Sequence, residues 1–262
     1  EVMLLHTVLL FEQDLNEKGH LEAYETLIQQ KENERTKKMQ AHHKRGEKKG
    51  VTVDSVLIRG VSAADTILDY LSDKDYDLVV MGTHGHTGVV KFFMGSTTEK
   101  IVRFSPIPVI TVHKDYKRNK IEEILVPIDF SEYSHIAIEQ GKVIAKEFKA
   151  KIFFMHVVEQ DAHPEFYAIS SEPILKENPQ LRDHITGSLK KYSGMSEDDA
   201  HFVVGEGKVH HEIIKHSENN EVDLIVMPTV GQSDLEHIIM GSTTERVVRV
   251  ATCPVMTVRK KL

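Results

Sequence analysis

The residues best suited to chemistry form one spaced set: Gly82-x2-Gly85-x9-Gly95-Ser96-Thr97, preceded by Met81. The set follows Asp77–Met81, DLVVM, a short β-branched run that reads as a buried strand. Beyond it, Ile101, Val102 and Phe104 have helical spacing. A glycine turn between strand and helix brings backbone N–H groups close to a ligand, because glycine tolerates positive φ and has no side chain to hold the ligand off. The next helix offers its unpaired N-terminal N–H groups to negative charge. The expected chemistry is therefore a phosphate cradle. No Gly-Lys-Ser/Thr follows, which excludes a Walker loop, and the spacer between Gly85 and Gly95 is too long for a dinucleotide fingerprint. A competing explanation is helix capping. Ser96-x-x-Glu99 and Ser242-x-x-Glu245 have the spacing of capping boxes, in which serine and glutamate satisfy backbone donors reciprocally. Capping accounts for serine and glutamate but not for the glycines.

The elements that must position this set occur twice. Met81–Val112 recurs as Met227–Val258 with both ends offset by 146 residues, and both copies contain MGSTTE. Internal repetition fixes architecture before single residues are read. Each copy has the run of a buried strand, a glycine loop, a helix and a closing strand, Pro108–Val112 and Pro254–Val258. Upstream, Val56–Ile58 and Phe202–Val204 read as strands, each followed by helical spacing. Strands alternating with helices predict an α/β fold of two repeated, doubly wound parallel-sheet domains. The expected domains are residues 1–112 and 121–262, with the polar stretch 113–120, HKDYKRNK, as linker.

The copies differ at their starts. The second opens with Ile121–Asp129, IEEILVPID, a strand, then a helix through Ile136, Ile138, Val143 and Ile144, then the strand Ile152–Val158. The first begins directly at Val2–Val8, which aligns with Ile152–Val158 at an offset of 150. A strand and helix of copy two therefore have no counterpart in copy one, and the expectation is a shortened chain rather than a native domain without them.

The formal net charge of −7 argues against a nucleic-acid binder, which usually presents a strongly basic face. No apolar run is long enough to span a membrane. The start, EVMLLHTVLLFEQ, lacks the basic flank and cleavage site of a signal peptide. The lone cysteine, Cys253, lies in an apolar segment and fits a reducing cytoplasm.

With these residues in place, the chain resembles the universal stress proteins. The glycine pattern, the preceding DLVVM strand, the terminal PVITV strand and the opening Leu125–Ser131, LVPIDFS, carry the resemblance across essentially the whole chain as a tandem pair. It implies a five-stranded parallel sheet in each domain and, in one branch of the family, ATP or a related adenine nucleotide at the strand ends, with magnesium accompanying it. Residue by residue, Asp129 matches the aspartate that holds adenine and ribose, and Val157 or Val158 the end of the strand that contacts adenine. Met227, Gly231, Gly241, Ser242 and Thr243 match the loop around ribose and phosphates. In copy one, Met81, Gly82, Gly85, Gly95, Ser96 and Thr97 match that loop, without an aspartate like Asp129. Copy two departs at Pro228, where the first loop glycine stands in copy one, and adds Asp234 and Glu236 nearby. Proline removes an N–H and fixes φ, so copy one is expected to hold the better phosphate loop. The resemblance further implies an intramolecular pseudo-dimer through the terminal strands, with homodimers open, and at most slow ATP hydrolysis or self-phosphorylation. The alternative is a nucleotide-independent interaction protein whose degenerate sites hold another small molecule or none.

Other constellations are weaker. His84 and His86, His42 and His43, and His210 and His211 are close pairs, but zinc needs three or four converging ligands. His6 and His156 recur at matching strand positions and are expected to serve packing and hydrogen bonding. The basic run over residues 31–49 is expected to be a solvated helix end.

Overall fold

β-branched runs alternating with amphipathic segments become strands and helices in a computed structural model that describes residues 1–10, 18–83, 94–159, 174–231 and 240–259, with side chains along the first helix described from Tyr24. The chain divides into two compact units, residues 1–75 and 76–262.

In the first unit β1 (Val2–Leu9) and β2 (Val53–Gly60) run parallel, from Val2 opposite Val53 to Leu9 opposite Gly60. The connecting helix α1 (Lys18–Glu47) buries Tyr24 and Ile28 with Val8 of β1. Arg59 of β2 reaches Glu25 and Glu32 of α1 at 2.9 and 2.7 Å. α2 (Ala63–Ser72) starts at Ser62, whose Oγ accepts the Asp65 N–H at 3.4 Å. The basic run forms the last turns of α1, where Lys37, Lys38, Lys44 and Arg45 are exposed.

The second unit is built on a seven-stranded sheet. Its strands in chain order are β3 (Val79–Gly82), β4 (Val109–Val112), β5 (Glu123–Pro127), β6 (Lys151–Val158), β7 (His201–Glu206), β8 (Leu224–Pro228) and β9 (Val255–Val258). They lie in the order β3-β4-β9-β8-β5-β6-β7, and every pairing is parallel except β4 with β9. The helices are α3 (Ser96–Phe104), α4 (Ser134–Phe148), α5 (Ile174–Glu177), α6 (Pro179–Ser193), α7 (Val209–Asn219) and α8 (Ser242–Val250). The central strands are continuous apolar runs because a parallel sheet is covered on both faces. Ile124, Leu125, Val126, Phe154, Ile225 and Val226 are fully buried. α6 illustrates how local sequence sets a helix. Asn178 Oδ1 accepts the Leu181 N–H, Pro179 occupies the first turn, and Gly194 ends the helix at φ 66°.

The antiparallel seam carries the internal symmetry. Ile110 faces Met256, its own counterpart at the 146-residue offset. On either side, Thr111 Oγ1 donates to the Val255 carbonyl at 3.2 Å and Thr257 Oγ1 to the Val109 carbonyl at 3.3 Å, the same bond made twice about a local twofold.

β5 has no counterpart among the described residues of the first repeat. In the second repeat it joins the β6–β7 pair to the β8–β9 pair, whereas β1–β2 and β3–β4 lie in separate sheets and β3 ends the seven-stranded one. Side chains at matched positions differ: Val226 on β8 is 0% exposed and its counterpart Val80 on β3 is 63% exposed. Asp223 shows the same contrast. It is buried, and its Oδ2 accepts the N–H groups of Glu122 and Glu123 at 2.8 and 3.1 Å, while its counterpart Asp77 is exposed. Arg118 and Tyr116 of the linker also reach Asp223, Arg118 Nε at 3.1 Å from Oδ1 and the Tyr116 hydroxyl at 3.4 Å from the carbonyl.

Candidate functional site

The carboxyl ends of β5, β6 and β8 open onto a cavity of about 360 Å³. It lies where strand order reverses about β5, the place at which open α/β sheets bind ligands. From β5 come Pro127, Ile128 and Asp129, from β6 Met155, His156 and Val157 with Glu159 beyond, and from β8 Met227 and Pro228. The loop and α8 add Gly231, Gly241, Ser242, Thr243 and Thr244.

Asp129 is held in one orientation. Its Oδ1 accepts the Ser131 N–H at 2.9 Å and the Ser131 and Ser134 hydroxyls, each at 2.6 Å. The backbone turns sharply after it, with Phe130 at φ 62°, a left-handed conformation that a non-glycine residue keeps only when its surroundings hold it. The Tyr192 hydroxyl donates to the Ser131 carbonyl, and the Phe130 ring packs on His156 and Tyr192 at 4.7 and 5.4 Å. Burial raises the Tyr192 hydroxyl above its ordinary value, helped by the charges of Asp129 and Glu132. His156 Nδ1 lies 2.8 Å from the Ile128 carbonyl, which can only accept, so Nδ1 is the donor. Asp129 Oδ2 approaches the loop: a Cβ added to Gly231 would stand 3.0 Å from it. Any side chain at 231 would press on that oxygen.

The start of α8 corrects the capping expectation. The N-cap is Gly241 at φ −58°, with no side-chain cap, and Ser242 is the first helical residue. Glu245 turns instead to Arg249 one turn on. α3 repeats this arrangement, with Gly95 as N-cap at φ −62° and no side-chain cap. The glycines at both N-caps therefore have ordinary negative φ, contrary to the positive φ foreseen for the cradle. Among the described residues a Cβ at Gly95 would meet nothing nearer than 3.6 Å. Each glycine N–H closes the loop, Gly95 onto the Thr83 carbonyl at 2.9 Å and Gly241 onto Thr229 at 2.8 Å. A threonine ties each helix back to its strand, Thr98 Oγ1 to the Gly82 carbonyl at 3.0 Å and Thr244 Oγ1 to Pro228 at 2.8 Å. The N–H groups of the first α8 turn are thus left without a side-chain cap beside the cavity.

The model of the universal stress protein family matches this chain twice, at residues 1–113 and 120–259. The chain is a tandem member of the universal stress protein family. A universal stress protein of Methanocaldococcus jannaschii is 35% identical over 145 residues, covering 54% of this chain and 84% of that protein. One from Mycolicibacterium smegmatis is 26% identical over 219 residues, covering 82% of this chain and 72% of its own. The crystal structure of a universal stress protein from Archaeoglobus fulgidus superposes with a TM-score of 0.66 at 21% identity, covering 98% of this chain and 88% of that one, a likeness of fold.

In this universal stress protein the site residues expected in the second repeat come together. Asp129, Val157, Met227, Gly231, Gly241, Ser242 and Thr243 all line one cavity. Of those in the first repeat, Met81 and Gly82 end β3, and Gly95, Ser96 and Thr97 begin α3. Gly85, His84 and His86, like Asp234 and Glu236, lie outside the described residues. The described part of that repeat has no strand in the place of β5 and so no partner of the Asp129 kind. Pro228 sits at the end of β8. Ile225 and Thr229 donate towards β9, to the Pro254 and Val258 carbonyls at 3.0 and 2.9 Å. Strand alternation would turn an N–H at 228 towards β5 and the cavity. Proline removes that donor without breaking a ladder bond, since β5 and β8 pair only as far as Leu125 and Ile225.

Sequence reasoning missed Ser134, His156 and Glu159 as parts of this site. The spacing Asp129-x-Ser131-x-x-Ser134 directly after a strand was a usable signal for Ser134. His156 was assigned to packing, which its Phe130 contact bears out, yet it also lines the cavity. No local pattern marks Glu159. Among the described residues no three His, Cys, Asp or Glu side chains converge as metal ligands, and no helix is long and apolar enough to cross a membrane.

Proposed function

We propose that this protein is an adenine-nucleotide-binding module whose pocket lies in the second repeat. The observation that carries the reading is the meeting of Asp129 and Gly231 over the cavity at the strand ends. With Oδ1 fixed by Ser131 and Ser134, the carboxylate presents Oδ2 towards a ribose hydroxyl. Ile128, Met155 and Val157 supply apolar walls for a planar base, and the uncapped start of α8 supplies donors for a phosphate. The glycine content of the first repeat favours its loop for phosphate. The second repeat adds what that loop lacks among the described residues, a strand bearing an aspartate. Magnesium enters this reading only with a ligand's own phosphates. The role in this reading is binding and signalling, with at most slow ATP hydrolysis or self-phosphorylation.

The test is isothermal titration of the full chain with adenosine, AMP and ATP, with Asp129→Ala as control. Binding weakened at least about tenfold in that variant supports the pocket. Undiminished affinity there would remove it. A second reading, an interaction protein without nucleotide, is favoured by Pro228 alone, and the same titration decides it: no adenine ligand binds.

A further inference from the structure

We propose that Tyr192 is a positioning residue for the second-repeat pocket. From α6 it locks the turn that aims Asp129, and so sets how strongly the pocket prefers a nucleoside with ribose hydroxyls over one without them. The proposal rests on the adenine reading above and goes beyond it by assigning a role to a residue of a separate helix.

The turn after β5 adopts a conformation that its own sequence does not favour. Phe130 stands at φ 62°, in the left-handed region that an aromatic residue keeps only when its neighbours hold it. The bonds beside it are short-range. Asp129 Oδ1 accepts the Ser131 N–H and the Ser131 and Ser134 hydroxyls. The Asp129 N–H donates to Ser134 Oγ at 3.2 Å, and the Ser134 N–H to the Ser131 carbonyl at 3.0 Å. These bonds all lie within residues 129–134. They orient the carboxylate inside the turn, but they do not tie the turn to another element of the domain.

Tyr192 makes that tie. It lies near the end of α6, a helix seated in the core by Ile185 and Leu189. Its hydroxyl donates to the Ser131 carbonyl across 61 positions of sequence. Its ring meets Phe130 edge-on at 5.4 Å and stacks on His135 at 4.0 Å. One side chain thus touches residues on both sides of the Asp129–Ser131 contact, and the Phe130 ring it holds packs in turn on His156 of the cavity wall. Burial and the charges of Asp129 and Glu132 raise the hydroxyl above its ordinary value, which keeps it protonated and able to donate. Replacing tyrosine by phenylalanine keeps both ring contacts and removes only the hydroxyl bond. The turn then has more freedom, and Asp129 Oδ2 is less closely held beside Gly231.

The experiment is titration of the full chain with adenosine and with 2′,3′-dideoxyadenosine, for the wild type, Tyr192→Phe and Asp129→Ala. The expected result is that Tyr192→Phe weakens adenosine binding about fivefold or more and leaves dideoxyadenosine within about twofold, as Asp129→Ala does more strongly. A merely structural tyrosine would weaken both nucleosides alike, so equal losses would overturn the proposal. Undiminished adenosine affinity in Tyr192→Phe would overturn it too, while a loss confined to Asp129→Ala would leave the adenine reading standing. Equal wild-type affinity for the two nucleosides would remove the ribose contact and the role of Tyr192 with it. Binding of neither nucleoside by the wild type would overturn the adenine reading and this inference together. Thermal denaturation of each variant separates lost folding from altered preference.

Discussion

A Cβ built on Gly231 would stand 3.0 Å from Asp129 Oδ2, so two residues far apart in the second repeat lie close together in the wall of one cavity. Asp129 cannot retreat freely, because its other oxygen holds Ser131 and Ser134. Gly231→Ala should therefore crowd the carboxylate out of position. The expected outcome is a loss of adenine-nucleotide affinity of about tenfold with a destabilisation near or below about 1 kcal/mol. Titration and urea denaturation measure the two separately, and a large stability loss with unchanged affinity would refute the assignment.

Ser242 distinguishes a cap from a ligand contact. A capping serine replaced by alanine costs about 0.5–2 kcal/mol. Ser242 is the first helical residue, with no side-chain cap bond, so Ser242→Ala should cost less than about 0.5 kcal/mol and show its effect on nucleotide affinity instead. The midpoint of urea denaturation beside a titration curve checks both.

Asp223 and Asp77 are a matched pair in unmatched surroundings. Asp223 is buried, accepts two backbone N–H groups and pairs with Arg118. Asp223→Ala strands those donors and should cost about 2–4 kcal/mol. Asp77 is exposed, and Asp77→Ala should fall within about 0.5 kcal/mol of wild type. Equal costs in denaturant melts would show that the first repeat buries this position after all.

His216 predicts how stability depends on pH. Burial, opposed by the Glu123 charge, holds its imidazole below the ordinary value of 6.5, and its Nε2 is buried without a partner. The unfolded chain then takes up a proton at a higher pH than the folded one, so stability is full above about pH 6.5 and falls as the pH drops below it. Melting temperatures taken between pH 7.5 and about 5.5 should decline, and decline less in His216→Leu. An identical slope in both proteins would exclude His216 as a contributor.

The sequence alone determined the repeat and the alternation of strands and helices. These are local or periodic signals: β-branched runs, glycine spacing and a constant offset. Ser242-x-x-Glu245 shows the limit of such signals, since serine and glutamate at capping distance can equally follow a glycine cap, and only backbone geometry separates the two. Tertiary structure decided which residues meet. Nothing in the sequence around Ile110 says that it will face Met256, or around Glu159 that it will line the same cavity as Ser242. It also decided that equal sequences have unequal fates. Val80 and Val226 are the same residue in the same motif, yet one is exposed and the other buried, because burial depends on the neighbouring strand and not on the residue.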